Sequence, residues 1–363
     1  MAKGKIRHLF SGGHTPDGFY SFYHSLIPIP GNRIFIVKGG PGTGKAKFMR
    51  KMGEALAGEG SDVEYHHCSS NNNLLDGVVL PELQVAFIDG AIPYIFDMEN
   101  TGGVDEIIYL GEFWDENNQL LNKDQVLAHN SEIRNSFRRA HRMLRAAKAI
   151  YDDWEAIHTR AMDFATANGK ASDLVNDIFF GLRANGAGKV RRLFASAITG
   201  NGPVHYLETS VWRTAKCYVI KGAPGTGKST VVQKLIEAAV VRGLDVEVFY
   251  CPLDPEKPEH LVIPAISVAV TTAITPHNQI PDKPAAVIDM NDCLNKTDVE
   301  KYDTNTAYDR RYFWELFEQA ISCIRLAKKL QDDLETCHIP GNNFDGIQAV
   351  WEKTLARVLA YRK

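Results

Sequence analysis

The chain is short of the features that mark secreted, membrane-spanning or disulfide-stabilised proteins. Its six cysteines are scattered without a CxxC pair, so a disulfide framework is not indicated. The longest uncharged stretch, residues 261–281, is interrupted by Pro264 and Pro276 and is rich in threonine, which favours buried strands over a membrane helix. The charged first eight residues lead into no apolar segment of a secretory signal. These absences predict a cytoplasmic protein with no membrane partner.

An excess of positive charge is also missing. The 41 Lys and Arg residues face 44 Asp and Glu residues, a formal net charge of −3, so the overall charge indicates no nucleic-acid partner. Hydrophobic residues make up 44% of the chain, which is enough for a buried core in each half. At roughly 150 residues per domain, the 363 residues predict two domains.

The sequence contains one unit written twice. Two glycine-rich segments, GGPGTGK and GAPGTGK, end at Lys45 and Lys228 and stand 183 positions apart. The same offset relates Cys68 to Cys251, and residues 144–148 match residues 324–328 at an offset of 180. Because the similarity extends over nearly the whole of each half, the chain is a tandem duplication.

The joint between the copies is predicted in a small, polar, glycine-containing stretch at residues 182–189. Residues 1–185 are therefore assigned to a first P-loop NTPase-like domain, whose glycine loop is incomplete. Residues 186–363 are assigned to a second such domain, whose loop is complete. The matching order of the two copies predicts that they pair within the chain.

Each copy predicts the same order of strands and helices. An apolar strand leads into the glycine loop, a helix follows, and further strands are expected at residues 63–67 and 83–88 and at residues 246–250 and 265–270. This alternation predicts an α/β fold of two tandem P-loop NTPase domains, each a mostly parallel sheet with flanking helices and an added long helical segment.

The added helical segments are predicted at residues 130–168 and 308–338. The second of them carries an apolar stripe at steps of three and four residues. Such a stripe predicts packing against the sheet or against the sister copy, with a moving lid or a partner-binding arm as the alternative.

The second glycine loop satisfies every position of the pattern G-x-x-x-x-G-K-[ST] after a strand and before a helix. Its glycines let successive N–H groups point at phosphate oxygens, its lysine reaches the outer phosphates, and its last hydroxyl binds Mg²⁺. We therefore predict ATP and Mg²⁺ here, with Lys228 on the phosphates and Ser229 on the metal. The predicted nucleotide-binding residues are Gly222, Ala223, Pro224, Gly225, Thr226, Gly227, Lys228, Ser229 and Thr230.

The first glycine loop departs from this pattern because Ala46 stands where a serine or threonine should bind the metal. Lys45 and the backbone N–H groups can still hold a triphosphate, but the protein's own magnesium ligand is missing. We expect this loop to bind nucleotide in a regulatory role, with little turnover. Its predicted nucleotide-binding residues are Gly39, Gly40, Pro41, Gly42, Thr43, Gly44, Lys45 and Ala46.

A carboxylate that helps to hold magnesium is expected at the end of an apolar strand. The first copy offers Asp89 as this metal ligand, whereas the aligned segment of the second copy has no acid. Asp289 and Asp254 are the substitutes there. Neither copy has an acid directly after the strand end, where a water-activating group is often found, so the sequence places no general base. Slow hydrolysis is the expectation.

Cations on the added helical segments form a weaker pattern. Arg145 with Lys148, and Arg325 with Lys328, recur at a spacing of three, so Arg325 is a candidate to reach the neighbouring copy's γ-phosphate. Ion pairs with nearby aspartates are the favoured alternative. The run His-His-Cys at residues 66–68 is interpreted as packing near a pocket, with a phosphate contact or a metal site as alternatives.

The paired glycine loops, together with YHHCSS at residues 65–70 and LDGVVLPEL at residues 75–83, resemble a poorly characterised bacterial family of tandem P-loop proteins. Members are commonly labelled ATPase or nucleotide-kinase-like, and the resemblance covers nearly the full length. It implies a nucleotide-binding cytoplasmic protein and names no substrate. Ala46 departs from the usual loop pattern, which bears on metal chemistry at the first site.

Three functions fit these residues. The leading hypothesis is a slow Mg²⁺-dependent ATPase whose second copy is active and whose first copy is regulatory. The second is a kinase acting on a nucleotide or another small-molecule acceptor, which explains the missing water-activating acid. The third is a non-hydrolysing switch or scaffold in which ATP locks the two halves together and a protein partner is recruited.

Overall fold

The computed structural model describes residues 3–26, 33–90, 104–114, 123–184, 186–273, 279–338 and 342–362. Within these ranges the chain forms two six-stranded sheets, two small hairpins and eight α-helices. The predicted α/β class is confirmed. The predicted boundary at residues 185 and 186 falls between the last helix of the first half and the first strand of the second half, and Asn185 lies outside the described residues.

The elements of the first half begin with three short strands and end with two helices. The strands are β1 (Ile6–Phe10), β2 (Gly12–Thr15), β3 (Gly18–Ser21), β4 (Arg33–Lys38), β5 (Val63–His67), β6 (Leu75–Leu80), β7 (Val85–Asp89) and β8 (Asp105–Tyr109). The helices are α1 (Lys45–Gly58), α2 (Lys123–Arg160) and α3 (Phe164–Phe179).

The second half repeats this plan. Its strands are β9 (Val190–Leu193), β10 (Ser196–Thr199), β11 (Gly202–His205), β12 (Lys216–Lys221), β13 (Val246–Cys251), β14 (Asp254–Ile263), β15 (Val268–Ala273) and β16 (Ala286–Asp289). Its helices are α4 (Leu207–Ser210), α5 (Lys228–Val240), α6 (Lys296–Glu300), α7 (Asp303–His338) and α8 (Phe344–Leu359).

The two large sheets have the same strand order. The first runs β1-β5-β6-β7-β4-β8 and the second runs β9-β13-β14-β15-β12-β16. In each sheet the third strand is antiparallel to both of its neighbours, and the other pairings are parallel. Each sheet is therefore mixed, and the prediction of a mostly parallel sheet holds for five of its six strands. The sequence pattern did not predict strand β6, because Asp76 and Gly77 interrupt its apolar run.

The glycine loops lie at the carboxyl ends of β4 and β12, next to the parallel neighbours β7 and β15. Helices α1 and α5 begin directly after Gly44 and Gly227, whose φ angles of 79° and 81° are left-handed. Glycine adopts this conformation without steric cost, so the chain can turn sharply from strand to helix at these positions.

The long helical segment of the first half is broken where the sequence predicted continuity. Helix α2 ends at Arg160 and α3 begins at Phe164, because the Asp163 side chain caps α3 by accepting hydrogen bonds from the N–H groups of Ala165 and Thr166. The second half breaks at the corresponding place, where Asn343 caps α8.

The two capped helices exchange partners between the halves. Helix α3 buries Leu174 and Ile178 in the core of the second half, with Val232 and Leu235 of α5. Helix α8 buries Trp351 and Val358 in the core of the first half, against α1. Each sheet is thus covered by a helix that belongs, in sequence, to the other copy.

The long helices α2 and α7 pack against each other and form a core of their own. Leu144 and Ala147 of α2 are fully buried with Phe313 and Ile324 of α7. This confirms the prediction that the helical segments pack against the sister copy. Pairing of the two halves within the chain is therefore a property of the fold.

A second contact between the halves is made of buried ion pairs. Arg7 and Arg191, which are repeats of each other, both bind the carboxylates of Glu64 and Glu247, which are also repeats, at distances of 2.6–3.1 Å. Beside this cluster, the backbones of Phe10 and Phe194 exchange two hydrogen bonds. The reciprocal contacts relate the halves by an approximate two-fold axis.

In the described part of the chain, no helix combines the length and apolar character needed to cross a bilayer.

Candidate functional site

The second glycine loop holds its lysine inside the protein. Lys228 Nζ donates hydrogen bonds to the carbonyl oxygens of Gly222 at 2.9 Å and Ala223 at 2.6 Å. Thr226 Oγ1 donates to the same Ala223 carbonyl and closes the turn. Burial lowers the pKa of Lys228 to about 8, because the charged ammonium has lost much of its water.

The first glycine loop has the same internal hydrogen bonds. Lys45 Nζ donates to the carbonyl oxygens of Gly39 at 3.0 Å and Gly40 at 3.2 Å, and it lies 4.0 Å from Asp89 Oδ2. A methyl group on Gly40 would lie 2.0 Å from the ring of Trp114, so this position has no room for the alanine that the second loop carries. The structure thus places Asp89, the predicted metal ligand of the first copy, beside Lys45.

The end of α2, from the first half, closes over the second loop. Thr159 Oγ1 donates to the carbonyl oxygen of Gly225 at 3.0 Å, and His158 contacts the backbone of Pro224. A Cβ on Gly225 would lie 2.1 Å from the carbonyl oxygen of Glu155. The α2 backbone therefore touches the loop at a position where only glycine fits.

The junction of α7 and α8, from the second half, lies over the first loop in the same way. Asn342 Nδ2 donates to the carbonyl oxygen of Gly42 at 2.9 Å. The carboxyl of Glu335 is close enough to Lys45 and Asp89 to interact with both, and its burial raises its pKa. Each glycine loop is thus completed by residues of the other sequence copy.

A cavity of about 290 Å³ lies between the second loop, the sheet of the second half and the helices that the first half contributes. Lys228, Ser229 and Thr230 line it at the start of α5. The first half supplies residues from α2 and α3, among them Glu155 and Thr159. The cavity belongs to both halves, although all of the predicted loop chemistry in it comes from the second.

Glu259 is a buried acid in the lining of this cavity, and the sequence alone did not identify it as a functional residue. It lies on β14 with its side chain buried, and burial raises the pKa of its carboxyl to about 7. The thiol of Cys251 hydrogen-bonds to the carboxyl, while Lys228 stabilises its charged form. Among the described residues its Oε2 atom finds no hydrogen-bond partner.

The first copy has an acid at the same place. Asp76 stands 183 positions before Glu259, lies on β6, and is buried beside the thiol of Cys68. Burial and the neighbouring Asp89 raise the pKa of Asp76 to about 7. The constant offset between the copies could have revealed this pair from the sequence. It aligns Asp76 with Glu259 and Cys68 with Cys251.

The strand register explains how the copies differ. Since Gly77 pairs with Ile88 across antiparallel strands, Asp76 lies opposite Asp89 at the end of β7. In the second sheet His260 pairs with Thr271, so Glu259 lies opposite Thr272. The second copy has therefore lost the strand-end acid but kept the acid on the next strand. The Thr272 hydroxyl is buried and unpaired within the described residues.

Charged side chains form a network near the start of β14. Lys148 of α2 binds Asp152 and Asp254, and Lys257 binds Glu155 and Asp254. Four of these residues, all except Asp152, line the cavity. The ion pair of Lys148 with Asp152 has its counterpart in Lys328 and Asp332, so the favoured prediction of ion pairing for these lysines is confirmed.

The other predicted catalytic residues lie apart from the cavity lining. Asp289 ends β16, on the far side of β12 from Glu259, and binds Lys221 at 3.1 Å. Arg325 donates to the carbonyl oxygen of Gly200 at 2.9 Å, within its own half. Of the two acids predicted to assist Lys228, only Asp254 is brought to the cavity.

The histidines at the end of β5 contact both halves, because the centroid of the His67 ring also lies 4.5 Å from that of the Tyr206 ring in the second half. His66 is fully buried next to Glu64, and His67 hydrogen-bonds to His8 and to the backbone of Asn72. Across the described ranges, no three His, Cys, Asp or Glu residues are arranged to hold a metal ion.

Similarity to known proteins does not assign a function to this site. No family model matches the chain, and no curated protein or solved structure is significantly similar to it.

Proposed function

We propose that the chain binds Mg²⁺-ATP at the second glycine loop and transfers its γ-phosphoryl group, with slow hydrolysis when water is the acceptor. In this proposal the halves are P-loop NTPase domains, and the first loop binds nucleotide in a regulatory role. The observation that carries the proposal is the joint placement of Lys228, Ser229 and Glu259 around one cavity at the carboxyl ends of β12 and β15.

The backbone at the start of α5 provides the phosphate site. Consecutive N–H groups of the loop and the positive end of the α5 dipole favour a phosphate group at this position. Lys228 adds a full charge that its hydrogen bonds to Gly222 and Ala223 hold in place. Fixed cations of this kind stabilise the charge that develops on the transferred phosphoryl oxygens.

The donor set at this place suits magnesium. Ser229 supplies a hydroxyl, a hard oxygen donor, next to Lys228, and the phosphates of the nucleotide would supply further oxygen ligands. Mg²⁺, when bound, neutralises phosphate charge. Ala46 removes the matching hydroxyl from the first copy.

Glu259 is proposed as the general base. A base works best when its pKa lies near the pH of the reaction, and burial brings the pKa of Glu259 to about 7. In its ionised form the carboxylate can take the proton of the attacking hydroxyl, and the ammonium of Lys228 stabilises that form. This assigns the base that the sequence pattern left open.

ATP binding by calorimetry and ADP release, each measured with and without Mg²⁺, test the proposal. We expect Ser229→Ala to keep ATP binding but to lose most of the Mg²⁺-dependent ADP release. Ala46→Ser, the reverse change in the first copy, is the matched control and should leave ADP release at the second loop unchanged. Equal Mg²⁺ dependence in wild type and Ser229→Ala would refute the metal assignment.

Transfer to an organic acceptor, rather than to water, is the reaction that the cavity favours. Much of the space beyond Lys228 is walled by apolar side chains, including Leu253 and Phe317. A site for hydrolysis alone has no use for this wall, whereas an organic acceptor can bury its carbon atoms there.

A further inference from the structure

The lining of the cavity draws on two hydrophobic cores. Met162 and Ala171 belong to the core that contains α3 and α5. Ile198, Leu253 and Phe317 belong to the core of the α2–α7 pair. We name the part of the lining that these three residues form the acceptor end. In the order of the sheet, β14 with Glu259 stands between the loop strand β12 and β13.

We propose that the acceptor end binds a neutral, hydroxylated small molecule of about monosaccharide size, which receives the γ-phosphoryl group of ATP. This inference rests on the proposed function and specifies its substrate class. The cavity volume of about 290 Å³ lies at the small end of ligand pockets, so the acceptor that shares it with phosphates is small.

The apolar side chains of this wall favour an acceptor that has a carbon skeleton. Ile198, Leu253 and Phe317 line the cavity and are at most 7% exposed. A sugar or cyclic polyol presents a face of C–H groups that packs against such a wall, and aliphatic and aromatic side chains gain contact area from it. Water gains nothing from the same surface.

The charges at the acceptor end disfavour an anionic acceptor. Lys148 and Lys257 are both bound by carboxylates, which are Asp254, Asp152 and Glu155, so the cations are outnumbered even before Glu259 ionises. Both cations of this network already have carboxylate partners among the described residues, so a carboxylate or phosphate on the acceptor would face nearby negative charge. Hydroxyl groups suit this network, because they donate to carboxylates and accept from ammonium groups.

The first copy is built differently at the same positions. His14 and Ser70 stand where the second copy has Ile198 and Leu253, and His14 hydrogen-bonds to Ser70 and His141. Phe137 matches Phe317, so two of the three wall positions are apolar only in the copy that also has the complete loop with Ser229. This coincidence of wall and metal-binding hydroxyl supports a substrate role for the wall.

The proposed step is balanced without a further reagent. The acceptor hydroxyl loses its proton to the Glu259 carboxylate and its oxygen forms a bond to the γ-phosphorus. The bond from that phosphorus to the bridging β–γ oxygen breaks, and ADP leaves with the electron pair. The products are ADP and a phosphate monoester, and Glu259 later releases its proton to solvent.

Paired probes test the substrate class. Glycerol, ribose, glucose and myo-inositol are the neutral probes, and glycerate, ribonate and gluconate are anionic partners of the first three. ADP release and transfer of ³²P from γ-labelled ATP to the probe are measured with the full-length chain. We expect at least one neutral probe to raise ADP release tenfold or more over water and to carry the label, while its anionic partner does neither.

The proposal is overturned if no neutral probe becomes labelled, or if an anionic probe is the better acceptor. If ATP binding depends on Lys228 but ADP forms only by hydrolysis, the proposed function stands and only the proposed acceptor is refuted. Absence of ATP binding would instead remove the proposed function itself.

Two variants locate the acceptor. Leu253→Ser copies the first-copy residue, and we expect it to raise the KM for the active neutral probe about tenfold while ATP affinity changes less than twofold. Asp254 is half-buried, so a substitution there disturbs the core less. We expect Asp254→Asn to reduce the ratio by which the neutral probe is a better acceptor than its anionic partner. An unchanged KM in the first variant and an unchanged preference in the second would place the acceptor elsewhere.

Discussion

Glu259 and Lys228 are a carboxyl and an amine whose buried positions move both pKa values toward neutrality. Burial raises the pKa of Glu259 to about 7 and lowers that of Lys228 to about 8. Paired shifts of this kind collect at functional sites, because a reaction near pH 7 needs groups that titrate there. In the first copy, burial and the neighbouring Asp89 raise the pKa of Asp76 to about 7 as well.

The pH dependence of kcat/KM for ATP should be bell-shaped. Activity is expected to rise with an apparent pKa of about 7 as Glu259 loses its proton, and to fall above about 8 as Lys228 loses its charge. Because the two groups interact, the limbs belong to the pair rather than to one residue. Initial rates of ADP release between pH 5.5 and 9.5 measure the profile.

Glu259→Gln should lower kcat by about 10²–10⁴-fold and remove the rising limb, because general-base catalysis contributes effects of that size. Asp76→Asn makes the corresponding change in the first copy and is the matched control, with an expected profile like that of wild type. A rising limb that survives in Glu259→Gln would show that another group is the base.

At the scale of elements, the exchange of α3 and α8 determines how the cavity is built. Because α3 packs on the second sheet, the end of α2 is brought to the second loop, where Glu155 and Thr159 line the cavity. The α7–α8 junction does the same for the first loop. The segment that was predicted as a packing or lid element therefore also contributes walls to the opposite site.

Gly225→Ala should separate this inter-copy contact from the conformational role of glycine. Gly225 and Gly227 both have left-handed φ angles, 79° and 81°, so alanine at either costs about 1 kcal/mol or more of backbone strain. Only at Gly225 does the new methyl group meet the α2 backbone, at 2.1 Å from Glu155 O, whereas nothing lies within 4 Å at Gly227.

We therefore expect Gly225→Ala to lower the free energy of unfolding by about 1–3 kcal/mol more than Gly227→Ala, which is the usual cost of overpacking. Denaturant unfolding without nucleotide measures both variants. Equal destabilisation by the two substitutions would contradict the contact between α2 and the loop.

The sequence predicted most of each half but little of their combination. The repeat and the glycine pattern located Lys45, Lys228 and the elements around them, since spacing and glycine positions are local properties. The partner of α3 was not predictable, because an apolar stripe on a helix does not specify which sheet it covers. Glu259 was missed for a similar reason: its role depends on pairing with β15, which brings it opposite Thr272.

At the scale of the whole molecule, the ion-pair cluster of Arg7, Arg191, Glu64 and Glu247 joins the halves near the approximate two-fold axis. Glu64 is buried, and the two guanidinium groups hold its pKa well below its usual range. Neutralising Glu64 leaves two guanidinium groups sharing the single carboxylate of Glu247, and an unbalanced buried charge is more costly than the loss of a surface pair.

Glu64→Gln should therefore lower the free energy of unfolding by about 3–5 kcal/mol. Glu315→Gln, which breaks the exposed pair with Arg311, is the control and should leave the unfolding midpoint unchanged. Urea unfolding at pH 7 compares the two, and a small effect of Glu64→Gln would show that the cluster does not hold the halves together.

The same residue gives the acid limit of stability. Because the folded-state pKa of Glu64 lies below its unfolded value of about 4.3, its contribution is full above that value and is lost as the pH falls through the lower folded pKa. Wild type should lose stability below about pH 4 more steeply than Glu64→Gln. Thermal unfolding from pH 7 to pH 2.5 measures this difference.

The central claim is that the second loop is the site of ATP chemistry and that the first loop is not. The most direct test measures ATP binding and ADP production, with and without Mg²⁺, in wild type, Lys45→Ala and Lys228→Ala. We predict that turnover disappears in Lys228→Ala and persists in Lys45→Ala, which loses ATP binding only at the first loop. Turnover and affinity that are untouched by Lys228→Ala would contradict the account.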